Sequence, residues 1–257
     1  MKKQTTIKFI IFFGISLMFY LIGCVDTNVQ PIPSKFDFRS QVKVVNVGYQ
    51  GGADISLDGT TGGLVPFGTV AYGDESPTTL DFKDIAAGSK DLIIKYGSSV
   101  DTFKLVTDTD AKLRIFLMGN DTTKRVAQKS IERNIWQTKS SATDQNLYPV
   151  DSTFVAFMNG SPNASFDTLI VKGASIDSVA FIDTIAFSKS LGMADAAPYM
   201  KFAAGTDTLH FISSSDSLSS GSHTLISKEF TFSPQSRNTC VIYNTIDDLK
   251  IKLYQDD

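Results

Sequence analysis

Polar and apolar residues alternate with a period of two along much of this chain. In "KLRIFLM" (112–118), Leu113, Ile115 and Leu117 fall on one face and Lys112, Arg114 and Phe116 on the other. In "LKIKLY" (249–254), Leu249, Ile251 and Leu253 share the inward face. Successive side chains of a strand point to opposite faces, so this pattern predicts half-buried antiparallel strands. The breaks between runs, "LDGTTGG", "AAGS", "YGSS", "MNGSPN" and "AAGT", supply residues that accept turn geometry. No stretch beyond the first two dozen residues sustains a helical stripe. "KRVAQKSIERNIW" (124–136) comes nearest, and its later part is expected as a strand because its counterpart, "DDLKIKLYQ", plainly alternates.

That counterpart belongs to an internal repeat. "IAAGSKDLIIK" (85–95) returns as "FAAGTDTLHFI" (202–212). "VKVVNVGYQGGADISLDG" (42–59) aligns with "FVAFMNGSPNASFDTLIVKG" (154–173), each with an Asn near the end of an apolar strand and a Gly closing the next. The spacing from Asn46 to Gly59 is 13 and from Asn159 to Gly173 is 14; Gly88 precedes Leu92 by four residues, as Gly205 precedes Leu209. "KLRIFLMGN" (112–120) answers "TCVIYNT" (239–245). Landmarks in one order, twice, predict two copies of one domain. The expected fold is all-β: two tandem immunoglobulin-like antiparallel β-sandwich domains, 40–136 and 151–257, joined by a linker at 137–150. Burial of the inward sheet faces would hold each together, at about 25 cal/mol per Å² of apolar surface.

The start of the chain predicts an address. Lys2, Lys3 and Lys8 precede an apolar run, "FIIFFGISLMFYLIG" (9–23), that suits a signal peptide better than a spanning helix. It closes on "LIGC" (21–24), which resembles the lipobox of bacterial lipoproteins. The resemblance implies cleavage after residue 23 and acylation of Cys24, with 24–39 as an extended tether. Several acyl chains hold a protein firmly to a bilayer where one does so only marginally. Cys240, the other cysteine, sits in the apolar run "NTCVIY" and is expected as a small core residue. Without residues 1–23, Lys plus Arg falls from 24 to 21 against 27 acids, a net charge near −6. With no Lys/Arg-rich run, nucleic acid is not an expected partner.

The repeat also resembles a named family, the domain of unknown function 4397, found in bacterial lipoproteins and often in tandem. Val45–Asn46, Asp54–Gly59, Phe67–Tyr72 and Ile85–Gly88 match its recurring motifs. The second copy keeps Asn159 and the Ala-Gly turn but shows no "F-G-x-V-x-Y" stretch. These motifs carry turns and strand ends, and the family supplies no catalytic residues to transfer.

Candidate chemistry is sparse. His210 and His223 are the only histidines, with no Cys or His partner nearby, so no zinc site and no other metal site is assigned. Asp108 and Asp110 alternate in "TDTDAK", but the frame and distal Glu of a calcium loop are missing. Elbow, phosphate-loop and dinucleotide motifs are absent, so neither catalysis nor a cofactor is expected. Trp136, the one Trp, is either a partner platform or a plug between the two domains. Seven Asp-Ser/Thr triplets resemble an O-glycosylation acceptor of bacterial envelope proteins, at Thr122, Ser152, Thr168, Ser178, Thr184, Thr208 and Ser217. In the triplet "DTL" at 207–209, the hydroxyl belongs to Thr208; Asp207 supplies the acid and is not assigned as an acceptor. The expected protein is a non-enzymatic cell-envelope lipoprotein, placed at the outer membrane by its lipid and presenting two sandwiches to a protein or glycan partner. A surface-fibre subunit is the second reading and a periplasmic hydrolase the third.

Overall fold

In a computed structural model, the described residues are 38–59, 63–79, 81–120, 122–131, 151–174, 180–213 and 223–256, and they fall in one compact unit, Phe38–Asp257. The chain here is all-β apart from one 3-10 turn at Ile246–Asp248. The N-terminal set of strands is β1 (Arg39–Asn46), β2 (Ala53–Asp58), β3 (Val65–Val70), β4 (Glu75–Ser76), β5 (Lys83–Ala86), β6 (Gly88–Tyr96), β7 (Ser99–Thr107), β8 (Lys112–Gly119) and β9 (Lys124–Ser130). The C-terminal set is β10 (Ser152–Asn159), β11 (Phe166–Ala174), β12 (Ala180–Leu191), β13 (Met200–Ala203), β14 (Gly205–Ser213), β15 (His223–Phe232), β16 (Arg237–Tyr243) and β17 (Lys250–Gln255).

Each set makes two sheets. In the first, β4-β1-β8-β9 form one sheet, with β5 also paired to β1, and β3-β2-β6-β7 form the other. In the second, the orders are β13-β10-β16-β17 and β12-β11-β14-β15. The two topologies match strand for strand except at β4, whose counterpart is a single bridge. Even the short β4 has its echo, since Val45 pairs with Glu75 and Met158 bridges Ala196. The strand order of the first set thus recurs in the second.

The strands were expected to pair antiparallel, and most do. The exceptions are β1 with β8 and β10 with β16, which run parallel. Each parallel pair is bridged by the whole second sheet of its set, the long crossover that a parallel pair requires.

The sheet containing β2 and β6 shows the expected alternation of buried and exposed positions. The sheets containing β1, β8, β10 and β16 do not: these strands are buried along nearly their full length. One face of β8, Leu113, Ile115 and Leu117, packs on the core shared with β2, β3 and β6. The other face was expected to be exposed, yet Arg114 and Phe116 are fully buried. They face the second set: Val45, Val47, Phe116 and Met118 form one core with Met158, Val241, Tyr243 and Tyr254. The four sheets therefore stack with three cores between them, and the middle core joins the two sets. Burying one Phe or Met there contributes about 1.5–3 kcal/mol.

In "KRVAQKSIERNIW" the earlier part is a strand, β9, whose residues pair with β8 from Gly119↔Lys124 to Leu113↔Ser130, and the expectation for the later part falls on residues that are not described. Residues 132–136 lie outside the described region, as does the expected linker.

Asn46 and Asn159, singled out as landmarks, clamp the two sets identically. The Asn46 amide nitrogen donates to the carbonyls of Tyr49 and Val70, and its oxygen accepts from the Tyr49 amide. Asn159 donates to Ala164 and Leu191 and accepts from Ser161. Each side chain ties a buried turn to the last residue of an edge strand in the other sheet of its set, β3 or β12. The Ala-Gly turn is shared for a backbone reason, since Gly88 and Gly205 both take a positive φ that a Cβ would strain. At another such position the copies differ: Gly73 donates its amide to Asn46 at φ +83°, and Ala194 does the same to Asn159 at φ +72°.

Two substitutions of opposite sign test this account by urea denaturation. Asn159→Ala strands the buried carbonyls of Ala164 and Leu191 and should cost about 2–3 kcal/mol. Ala194→Gly relieves the left-handed alanine and should stabilise by about 0.5–1 kcal/mol.

Candidate functional site

The densest polar constellation in the described residues is not a cleft but the charged end of the middle core. β1 and β8 run side by side, with Lys43 next to Arg114 in register, and both point at the second set. Both side chains are fully buried. A buried cation retains its charge only beside fixed counter-charges. The Arg114 guanidinium pairs through Nη1 with Asp256 and through Nη2 with Glu75 at 3.2 Å, and Nη2 also donates to the Gln255 carbonyl at 2.8 Å. Lys43 reaches the other Glu75 oxygen at 3.3 Å and donates to the Thr79 carbonyl. Burial holds the Lys43 ammonium below the ordinary lysine range, against the opposing pull of Glu75.

Asp256 is held from the other side. Its second oxygen accepts from the Tyr199 hydroxyl and from Thr239 Oγ1, both at 2.7 Å, and its backbone carbonyl accepts from Lys112 Nζ at 2.8 Å. Burial, with the Asp256 charge beside it, pushes the Tyr199 hydroxyl far above the ordinary tyrosine value and keeps it a donor. Aromatic faces complete the enclosure. Phe82 lies under Lys43, Lys112 and Arg114, and Tyr254 lies 5.6 Å from the Arg114 guanidinium.

The seam continues along the middle core. Tyr254 and Lys252 donate to the Gly73 carbonyl at 2.9 and 2.6 Å, and Lys252 pairs with Asp74 at 2.9 Å. Tyr72 and Tyr243 meet edge to face at 5.4 Å, and Gln50 bonds Asn244. Burial pushes the Tyr72 hydroxyl up to about 12. Chemically this arrangement fixes and orients: its buried acids are paired with its buried bases, while Arg114 Nε is left without a hydrogen-bond partner.

The candidates raised by the sequence are not brought together there. Cys24, Trp136, Ser178 and Ser217 lie outside the described residues, and among those described it is the seam that fills the space between the sets. Thr184 lies on β12. Thr122 is exposed in the β8–β9 turn, where its hydroxyl bonds Asn120. Ser152 is buried, and Thr168 and Thr208 are half-buried on the adjacent central strands β11 and β14. Asp207, the acid that precedes Thr208, is itself buried on β14, between Gly173 of β11 and Phe230 of β15. Burial pushes its carboxyl above the ordinary aspartate value. His210 lies on β14 opposite Ser227 and His223 on β15 opposite Ser213, so they occupy different rungs of one hairpin. Burial, and secondarily Lys172, hold His210 below the ordinary histidine value. Cys240 is a fully buried core residue, its thiol pushed up by burial. Asp108 and Asp110 shape the β7–β8 turn, with the Asp110 amide on the Arg39 carbonyl. No group of three or more metal-ligating side chains forms among the described residues.

Sequence reasoning placed Arg114 on a solvent face and missed Glu75, Tyr199 and Asp256. One available signal was an arginine set between Leu113 and the apolar run "IFLM".

These features define an all-β protein in which one topology occurs twice, joined through a buried, charge-bearing core. No family model matches the chain, and no curated protein matches it. Among solved structures it is similar to the Bacillus anthracis TIE protein, at 7% identity over 80% of this chain and 34% of that one, with a TM-score of 0.23. The chain thus spans about a third of that structure's length, and so loose a likeness carries no argument about fold or function.

Removing one partner of the buried pair tests the seam. Asp256→Ala leaves Arg114 short of its main counter-charge and should cost about 3–5 kcal/mol by urea denaturation. A loss below about 1 kcal/mol, the level of a solvent-exposed pair, would show that the guanidinium is hydrated.

Proposed function

We propose that this protein is a non-enzymatic cell-envelope lipoprotein. Two tandem immunoglobulin-like β-sandwich domains, 40–136 and 151–257, joined through 137–150, stand on an acylated Cys24 and the tether 24–39 after removal of residues 1–23. They serve as a binding or structural module facing a protein or glycan partner, at the outer membrane. The observation that carries this reading is the seam. Its charged side chains are committed to joining two like strand sets, an investment that suits a scaffold presenting loops more than a reaction centre. The resemblance to the domain of unknown function 4397 is consistent with the roles of its landmarks. Asn46 and Gly88 act as a turn clamp and a positive-φ hinge, and their partners in the second set do the same. Of the triplet positions with described side chains, Thr122 alone is exposed, which makes it the favoured glycan acceptor.

Mass spectrometry of the protein from its own cells tests the anchor. An N-terminus at Cys24 carrying two or three acyl chains is expected. Recovery of peptides from residues 9–23, or of an unmodified Cys24, would contradict it.

A further inference from the structure

We propose that β7 is a self-pairing edge, along which two copies of this chain join into one continuous sheet. The inference goes beyond the anchoring proposal and does not depend on it. β7 closes its four-stranded sheet, and no described strand pairs with its outer side. An open edge of this kind is a template for another strand, and proteins usually blunt it with charge, proline or a bulge. The other described edges are blunted: β12 has a register shift against β11, and β5 is four residues long. β3, across the same sheet, carries Pro66 and a register shift against β2. β9 carries Lys124, Arg125 and Lys129, and β17 carries Lys250 and Lys252. β15 has a register shift against β14 and the charged pair Lys228 and Glu229. β4 is two residues long and β13 four.

β7 has no proline, no register shift and no excess of one charge. It pairs with β6 over nine residues without irregularity and carries one acid, Asp101, and one base, Lys104. It also holds two of the large exposed apolar side chains, Val100 at 58% and Val106 at 64%.

The sequence of β7 selects a second copy as the occupant, and it selects the register. A two-fold axis through an antiparallel pair makes residue positions sum to a constant. Placing the axis at Phe103, the midpoint of Ser99–Thr107, uses the full strand, with Ser99 opposite Thr107 of the second copy. Val100 then lies opposite Val106, so both exposed valines are covered by each other. Phe103, half-buried, meets its own copy, and aromatic cross-strand pairs are among the favourable ones. Lys104 faces Thr102 and keeps its in-sheet partner Asp91 at 2.8 Å. Neighbouring centres are worse: an axis at Lys104 sets like charges directly opposite, and an axis at Thr102 leaves Val106 opposite Ser98, outside the strand. An isologous pairing closes on itself and gives a dimer rather than a fibre.

The test is oxidative cross-linking of the full-length chain in its own cells. Two differently tagged copies are co-expressed, one Thr102→Cys and one Lys104→Cys, with wild-type Cys24 and Cys240 as background. Directly opposed positions are close enough for a disulfide and diagonal ones are not, so the mixed dimer should exceed either like-with-like dimer about tenfold. Val106→Asp, at an exposed position that leaves folding intact, should reduce the mixed dimer to background. Absence of the mixed dimer, predominance of a like-with-like dimer, persistence in Val106→Asp, or a cross-link to a protein of different mass would each overturn the proposal.

Discussion

A guanidinium buried from solvent must find its counter-charges inside the protein, and Arg114 takes them from both halves of the chain. Glu75 belongs to the first strand set, Asp256 to the second, and the Gln255 carbonyl fills the fork between them. Desolvating such a group costs several kcal/mol, which only well-placed partners offset. The placement of Asp256 is therefore fixed by Tyr199 and Thr239 at its far oxygen, and that of Glu75 by Lys43. With Arg114 committed in this way, the outer face of β1 and β8 cannot be a solvent face. The apolar residues beside it, Val45, Phe116 and Met118, close on Met158, Val241 and Tyr254. The four stacked sheets follow from that closure.

The seam is also where the two copies part. Lys43 and Arg114 are neighbours in the first parallel pair; the matching neighbours in the second are Ala156 and Thr239. The Ile131 amide donates to the Lys112 carbonyl in the first set, and the Asp256 amide donates to the Arg237 carbonyl in the second. Ile131 and Asp256 thus hold one structural position with opposite chemistry. Two identical units would set like charges against each other across this junction. Divergence at these few positions turns a repeat into complementary halves, while the turn clamps at Asn46 and Asn159, which act within each set, stay the same.

Much of the fold was legible because the features that carried it are local. Alternation marks β2 and β6, whose outer faces meet solvent. The landmark Asn and Gly residues answer backbone needs within their own turns. The second burial of the middle sheets was not legible from alternation, since "KLRIFLM" alternates formally while both its faces are covered. A different signal was there: "VVNV", "IFLM", "VAFM" and "CVIY" are near-continuous apolar runs, the pattern of strands buried on both sides. The partners themselves could not be read, because Arg114 and Asp256 lie 142 positions apart and nothing near Arg114 in the chain points to the acid that pairs with it. The parallel pairing of β1 with β8 was hidden for a similar reason, since an entire sheet intervenes in sequence.

The central claim is that the two strand sets stand or fall together through the buried seam. Hydrogen exchange followed by mass spectrometry under increasing urea tests it most directly. The seam predicts that β1, β8, β10 and β16 lose protection in one cooperative step at a shared midpoint. Separate midpoints for the pairs β1–β8 and β10–β16 would contradict the account, showing two independent units joined by a dispensable contact.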